Sequence, residues 1–211
     1  MSIAGNIPIS WVYVDLEGVL ADLNTAVIKH VGRDDLLADA WPAGVSLEQR
    51  LGLSPEKMFD LLVKDSKEIW KRVKPYAWAG QLLGSLRSPR VVVVGSRWGI
   101  PAVTDKQNWC ARYLSGKVSD VVVIQNRFLL ASGDSLLIDD NIKNAEKFVA
   151  RGGHSVLWPT SWNTAEAQDV VPAGAVAVKV LDRIRKRYLC ATVPETEARD
   201  YQYGQFTPSC P

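Results

Sequence analysis

Four consecutive valines, Val91 to Val94, run from Arg90 into Gly95 and Ser96. β-branched residues at every step fit a strand buried on both faces, since a half-exposed strand would alternate with polar residues. Such a strand needs helices above and below it, which directs the chain toward a parallel α/β sheet.

The rest of the chain supplies partners for that strand. Trp11 to Asp15 is a short apolar run ended by acid and by Gly18, which reads as the first strand. Val118 to Ile124, Ser135 to Asp140 and Ser155 to Trp158 read as three more. Between them lie helical spacings: Asp22 to Val31, Gln81 to Leu86, Ala102 to Leu114, and Ile142 to Ala150 stopped by Gly152 and Gly153. Residues 32–75 break the alternation with two helices, one near Ser46 to Leu51 and one from Ser54 to about Val73. The second opens on a serine cap followed by Pro55 and Glu56. Met1 to Ser10 reads as a polar lead-in, Ala177 to Tyr188 as the last helix, and the residues beyond Pro194 as a tail.

Composition closes off several classes. With 25 basic and 23 acidic residues the net charge is +2, which gives no polyanion signal, so nucleic acid is not an expected partner. Cys110, Cys190 and Cys210 are odd in number and widely spaced, and only two histidines accompany them; neither a disulfide framework nor a zinc site is indicated. Asn6 and Pro8 interrupt the start where a secretory signal would need an unbroken apolar core, and no segment reaches the roughly 20 apolar residues of a membrane span. The expectation is a cytoplasmic protein with no membrane partner.

Chemistry gathers at the strand ends. Asp15 and Glu17 end the first strand, Ser96 the valine strand, and Asp139 with Asp140 the Leu136-Leu137-Ile138 strand. In a parallel sheet these groups converge on the carboxyl edge, where open α/β sheets place their reacting groups. Carboxylates gathered there repel unless a cation sits between them, and oxygen ligands favour magnesium. The chemistry that follows is phosphoryl transfer to Asp15, with the Ser96 hydroxyl donating to a phosphate oxygen.

The segment Asp15-Leu16-Glu17-Gly18-Val19-Leu20-Ala21-Asp22, the Val-Val-Gly-Ser96 strand end and Leu137-Ile138-Asp139-Asp140-Asn141 resemble the motifs of the haloacid dehalogenase (HAD) superfamily. Within it they are most similar to the 5'(3')-deoxyribonucleotidases and their small kin. The resemblance implies a HAD-like Rossmannoid core, a parallel sheet flanked by helices, with a small helical cap inserted after the first strand. The core would span 1–21 and 79–190, the cap 22–78 and the tail 191–211. By the same resemblance Asp15 attacks phosphorus, Glu17 holds the acid/base position, and Ser96 binds phosphate. Magnesium would be held by Asp15, the Glu17 backbone carbonyl, and Asp139 or Asp140. The family has aspartate where Glu17 stands, and a methylene displaces a carboxyl by over an ångström on the scale that matters for proton transfer. The family's charge-balancing lysine aligns with Arg127, with Lys106 as the other candidate; read alone, Lys106 is a solvated helix residue. Arg97 and Trp98 follow Ser96 and are expected either to line the pocket mouth or to serve the structure. Asn141 reads as a helix cap, and Asn144 as packing or a loop anchor.

Substrate rests on the insertion. Trp41, Trp70 and Trp78 lie within or beside it, where an aromatic could stack on a nucleobase or pack in the core. Leu23 departs from the aromatic that nucleotidases often place there. The expected substrate is a small phosphorylated molecule, a nucleotide first; the alternative is a catalytically weakened module binding a nucleotide or a protein. The basic run Arg183, Arg185, Lys186, Arg187 reads as a solvated face. The tail, with Tyr201, Tyr203 and Phe206, is either disordered or packed on a second subunit, which leaves a homo-oligomer open.

Overall fold

A computed structural model describes residues 7–86, 90–96, 99–163 and 188–190. Its main sheet contains β2 (Trp11–Asp15), β3 (Arg90–Gly95), β4 (Asp120–Val123), β5 (Ser135–Asp139) and β6 (His154–Leu157). The spatial order is β4-β3-β2-β5-β6, and every neighbouring pair is parallel. The chain steps outward from β2 to β3 and β4, then crosses back to β5 on the other side. The order therefore reverses between β2 and β5, where ligand crevices form in such sheets.

Alternation along the strands gives each sheet face its own core. Val12, Val14, Val91, Val93, Leu136 and Ile138 pack into one apolar cluster, with Trp109, Cys110 and Leu114 of α6 (Gly99–Leu114). Tyr13, Val92, Val94 and Leu137 pack on the opposite face with Phe148 of α7 (Ile142–Ala150). The valine run is buried on both faces, as its sequence demands.

Between β2 and β3 lie α1 (Leu23–His30), α2 (Leu47–Leu51), α3 (Pro55–Lys64), α4 (Ser66–Arg72) and α5 (Ala79–Ser85). Met58, Leu62, Ile69, Trp70 and Val73 of this insertion join the α6-side cluster, and the Ser66 hydroxyl donates to Asp105 of α6 at 2.6 Å. The insertion is thus packed into the same core as the sheet.

Several sequence expectations are corrected. The single helix from Ser54 to Val73 is two helices, broken at Asp65 (φ −102°, ψ 13°), whose carboxylate lies 2.9 Å from His30 Nε2. Aspartate competes with helical backbone hydrogen bonding, and a side-chain partner outside the helix fixes the break. Helix α6 begins three residues before Ala102, with Pro101 in its first turn, where a missing N–H costs nothing. Inside the polar lead-in, Ile7–Ile9 forms β1, paired in parallel with β7 (Tyr188–Cys190). Tyr188 is accordingly a strand residue; the rest of the expected last helix and the tail lie outside the described residues. No helix among the described residues is long and apolar enough to cross a membrane.

Candidate active site

The sheet register sets the geometry. Asp15, the last residue of β2, lies beside Val94 of β3, and Val14 pairs with Ile138, so the ends of β2 and β5 bring Asp15 next to Asp139. Ser96 follows the end of β3 on the same edge. Oxygens of Asp15, Asp139 and Asp140 lie within 4.8 Å of one another.

Two cations oppose these acids. Arg127, opening a 3-10 turn at Arg127–Leu130, donates to Asp15 Oδ1 and, at 3.1 Å, to Ser96 Oγ; its Nε lies 3.1 Å from Asp139 Oδ2. Lys106 of α6 ion-pairs with Glu17 at 2.6 Å, donates to the Ser96 carbonyl, and lies 5.8 Å from the Trp70 ring centre. The other Glu17 oxygen accepts the Ser96 backbone N–H at 3.1 Å. Both sequence candidates for charge balance are therefore in the cluster, Arg127 on the Asp15 side and Lys106 on the Glu17 side. Lys106 is fully buried, which corrects its reading as a solvated residue. Its place one helical turn from Ala102, Trp109 and Cys110, all buried, explains why.

Among the described residues, four carboxylates stand against two cations in this buried cluster, a formal surplus of two negative charges. Burial first, then mutual repulsion, pushes Asp15 well above the carboxylate range despite Arg127; burial and Asp139 push Asp140 up to about 7. Arg127 is held firmly protonated: burial opposes its charge, but Asp15 and Asp139 outweigh that. A surplus of two charges on oxygen donors fits a hard divalent cation. Without one, the folded state holds protons on Asp15, Asp139 and Asp140 that the unfolded chain, with carboxylate pKa values near 4, does not. Stability of the metal-free protein should thus fall as pH rises from about 4 through about 7. Thermal scans in chelator should show the midpoint dropping by several degrees over that window, and saturating divalent cation should remove the drop.

The turn after β2 is shaped by Gly18, at φ +88°. A Cβ there would lie 2.7 Å from Asp140 Cγ and closer still to Oδ2, so the backbone approaches the carboxylate as only glycine permits. Gly18→Ala is expected to lower the melting temperature by a few degrees and to cost most of any activity by displacing Asp140. Beyond the motifs, Asp139 accepts Asn141 N–H at 2.8 Å and the Asn144 side-chain amide at 3.1 Å. Asn141 also caps α7, as expected, and Asn144 anchors a carboxylate.

Trp162 lay outside the sequence reading of the site. Its indole N–H donates to Asp140 Oδ2 at 2.9 Å, and Asn163 Nδ2 donates to the Asp140 carbonyl at 2.6 Å. The available signal was position: the loop after β6 leaves the same sheet edge. The acids open into a cleft of about 420 Å³, whose far wall includes Trp41, Leu47, Met58, Phe59 and Leu62 of the insertion. Of the three tryptophans weighed for stacking, Trp41 borders this cleft. Trp70 is buried edge-on to Trp109, and Trp78 stacks on Tyr76 with its N–H on the Val19 carbonyl. Arg97 and Trp98 lie outside the described residues.

Comparison with known proteins gives the arrangement its relatives. The family profile described as "5' nucleotidase, deoxy (Pyrimidine), cytosolic type C protein" matches residues 8–171. No curated protein sequence matches significantly. Among solved structures, one described as a predicted phosphatase from Clostridium acetobutylicum superposes with a TM-score of 0.57 at 15% identity, covering 84% of this chain and 99% of its own. L-2-haloacid dehalogenase from Xanthobacter autotrophicus gives 0.49 at 17% identity, covering 87% of this chain and 90% of its own. A HAD-superfamily hydrolase, subfamily IA, from Geobacter sulfurreducens gives 0.49 at 13%, covering 81% and 98%. The first of these carries the likeness of fold.

Proposed function

The chain belongs to the HAD-like family of 5' nucleotidases, deoxy (pyrimidine), cytosolic type C, and from that premise we propose a magnesium-dependent phosphomonoesterase acting on a small phosphorylated substrate, a nucleotide first. The observation that carries this reading is the convergence of Asp15, Ser96, Asp139 and Asp140 on one sheet edge, with Arg127 joining Asp15 to Ser96.

Asp15 attacks phosphorus; a bond forms between its carboxylate oxygen and phosphorus as the bond to the ester oxygen breaks, giving an aspartyl-phosphate. Glu17, in the acid/base position, supplies the proton that the departing oxygen takes up. Water then attacks the phosphorus and loses a proton to Glu17, which frees Asp15 and inorganic phosphate. Arg127 and the Ser96 hydroxyl hold the phosphoryl oxygens. Asp15, Asp139 and Asp140, with the Glu17 carbonyl, would hold magnesium, which when bound offsets the repulsion between nucleophile and phosphate. The insertion, taken as a cap over 22–78, would flank the site on the side of Trp41 and Phe59, an arrangement that suits small substrates.

A second reading keeps the fold and drops the turnover: a binding module for a nucleotide or protein. The observation favouring it is the engagement of Glu17 by Lys106 and by Ser96 N–H, since an acid/base held there must leave both partners to reach an ester oxygen. Phosphate release from a panel of nucleoside monophosphates and sugar phosphates, in magnesium and in chelator, tests the first reading. Release that needs magnesium supports it, and its preferred substrate defines the cleft; no release from any member overturns it for that panel.

A further inference from the structure

Asp140 is held by two neighbours. Gly18 backs its carboxylate with bare backbone, and the Trp162 indole N–H holds Oδ2 at 2.9 Å. Asn163, the next residue, fixes the main chain by donating to both the Asp140 and Trp158 carbonyls, at 2.6 and 2.8 Å.

The same tryptophan is where the insertion meets the core. The Trp162 and Trp41 ring centres are 5.3 Å apart, and the Trp162 carbonyl accepts the Gly44 N–H at 2.9 Å. Trp41 is in turn fixed by its own N–H on the Val45 carbonyl and by Arg50, whose guanidinium lies 4.7 Å over the ring. Arg50 also donates to the carbonyls of Leu36, Asp39 and Ala40. An unbroken path of packed and hydrogen-bonded groups thus runs from loop 36–46 through Trp41 and Trp162 to the Asp140 carboxylate.

We propose that Trp162 is a positioning residue that orients Asp140 for the divalent cation and couples cation binding to docking of loop 36–46 on the core. This rests on the metal reading of the acidic cluster given above. Turning one carboxylate oxygen into a fixed acceptor limits rotation of the whole group, and partners of this kind are commonly worth 10- to 100-fold in metal affinity. Coupling through a shared residue works in both directions: whatever cation binding gains from the docked loop, docking gains from the cation.

The test is magnesium titration by calorimetry, together with hydrogen exchange of residues 36–46, on the full chain. Wild type, Trp162→Phe, Trp41→Leu and Asp140→Asn are compared. Trp162→Phe keeps an aromatic ring on the side of Trp41 and removes the donor together with the five-membered ring that carries it; it should weaken magnesium binding about 10-fold. Magnesium should slow exchange in loop 36–46 of the wild type and leave it unchanged in Trp162→Phe. Trp41→Leu leaves the indole bond to Asp140 intact, so it should lose the exchange effect with a smaller loss of affinity. It decides the coupling even where Trp162→Phe does not fold. Unchanged magnesium affinity in a folded Trp162→Phe, or slowing of loop exchange that persists in Trp41→Leu, overturns the proposal alone. In that case loss of binding in Asp140→Asn still upholds the metal site. Absence of magnesium binding in the wild type overturns the metal reading together with the proposal.

Discussion

Replacing Asp15 with asparagine is expected to abolish phosphate release and, at the same time, to make the metal-free protein harder to unfold. The two halves have one cause. Asp15 is buried at the end of β2, and its carboxyl is pushed well above its ordinary range by burial and by the charges of Asp139, Glu17 and Asp140, with Arg127 only partly offsetting them. An amide has nearly the same shape, still accepts from Arg127 through its oxygen, and carries none of the repelled charge. It is also a far poorer nucleophile, so the covalent step is lost; removing a nucleophile that acts with its neighbours costs on the order of 10⁴-fold or more. Phosphate release against the best substrate of the panel should fall to background. The melting temperature in chelator at pH 8 should rise by a few degrees, and that rise should shrink toward about pH 4, where the wild-type acids are already protonated. A stabilised but inactive variant is the signature of a site that holds charge at the expense of stability. Full activity in Asp15→Asn would remove Asp15 from the chemistry, whatever its stability.

Much of this geometry is legible in the amino-acid order alone, because parallel strands have a fixed polarity. Once Val91 to Val94 is doubly buried and helices alternate with strands, the ends carrying Asp15, Ser96 and Asp139 must share an edge. Contacts that arise from packing between distant elements leave no such trace. Lys106 illustrates the boundary. Its spacing with Ala102, Trp109 and Cys110 marks the inner face of α6, but a lysine on such a face is surprising until Glu17 is placed 2.6 Å away. Arg127 has to be weighed against Lys106 because both sit after Ser96 in the chain; the 3-10 turn that aims Arg127 at Asp15 has no periodic signature. The break at Asp65 is hidden for the same reason, since its partner His30 is 35 residues away. Trp162, after β6, is legible in position and not in role. Nothing local says that an indole will reach back to the acid at the end of the neighbouring strand.

Glu17 separates the two functional readings, and its surroundings dictate how it must be tested. Glu17→Gln is expected to cost 10²- to 10⁴-fold in turnover if the carboxyl is the working acid and base. The same change also strips a buried lysine of its charged partner, and breaking a buried pair by removing one side commonly costs about 3–5 kcal/mol. Lost activity in that variant alone would therefore be ambiguous. Glu17→Gln combined with Lys106→Met removes both charges, so stability should recover toward wild type while turnover does not. Glu17→Asp keeps a carboxyl but shortens it by a methylene, which loosens its hold on Lys106 and the Ser96 N–H and leaves it freer to meet an ester oxygen. Its turnover should equal or exceed that of the wild type, with a small loss of stability. The comparison to make is kcat for wild type, for Glu17→Asp, and for Glu17→Gln with and without Lys106→Met, each measured well below its own melting temperature. Turnover that rises with aspartate and vanishes with the neutral pair assigns the proton transfer to position 17. A chain in which none of the three variants alters function, and in which ligand binding survives Asp15→Asn, is a binding module built on a phosphatase fold.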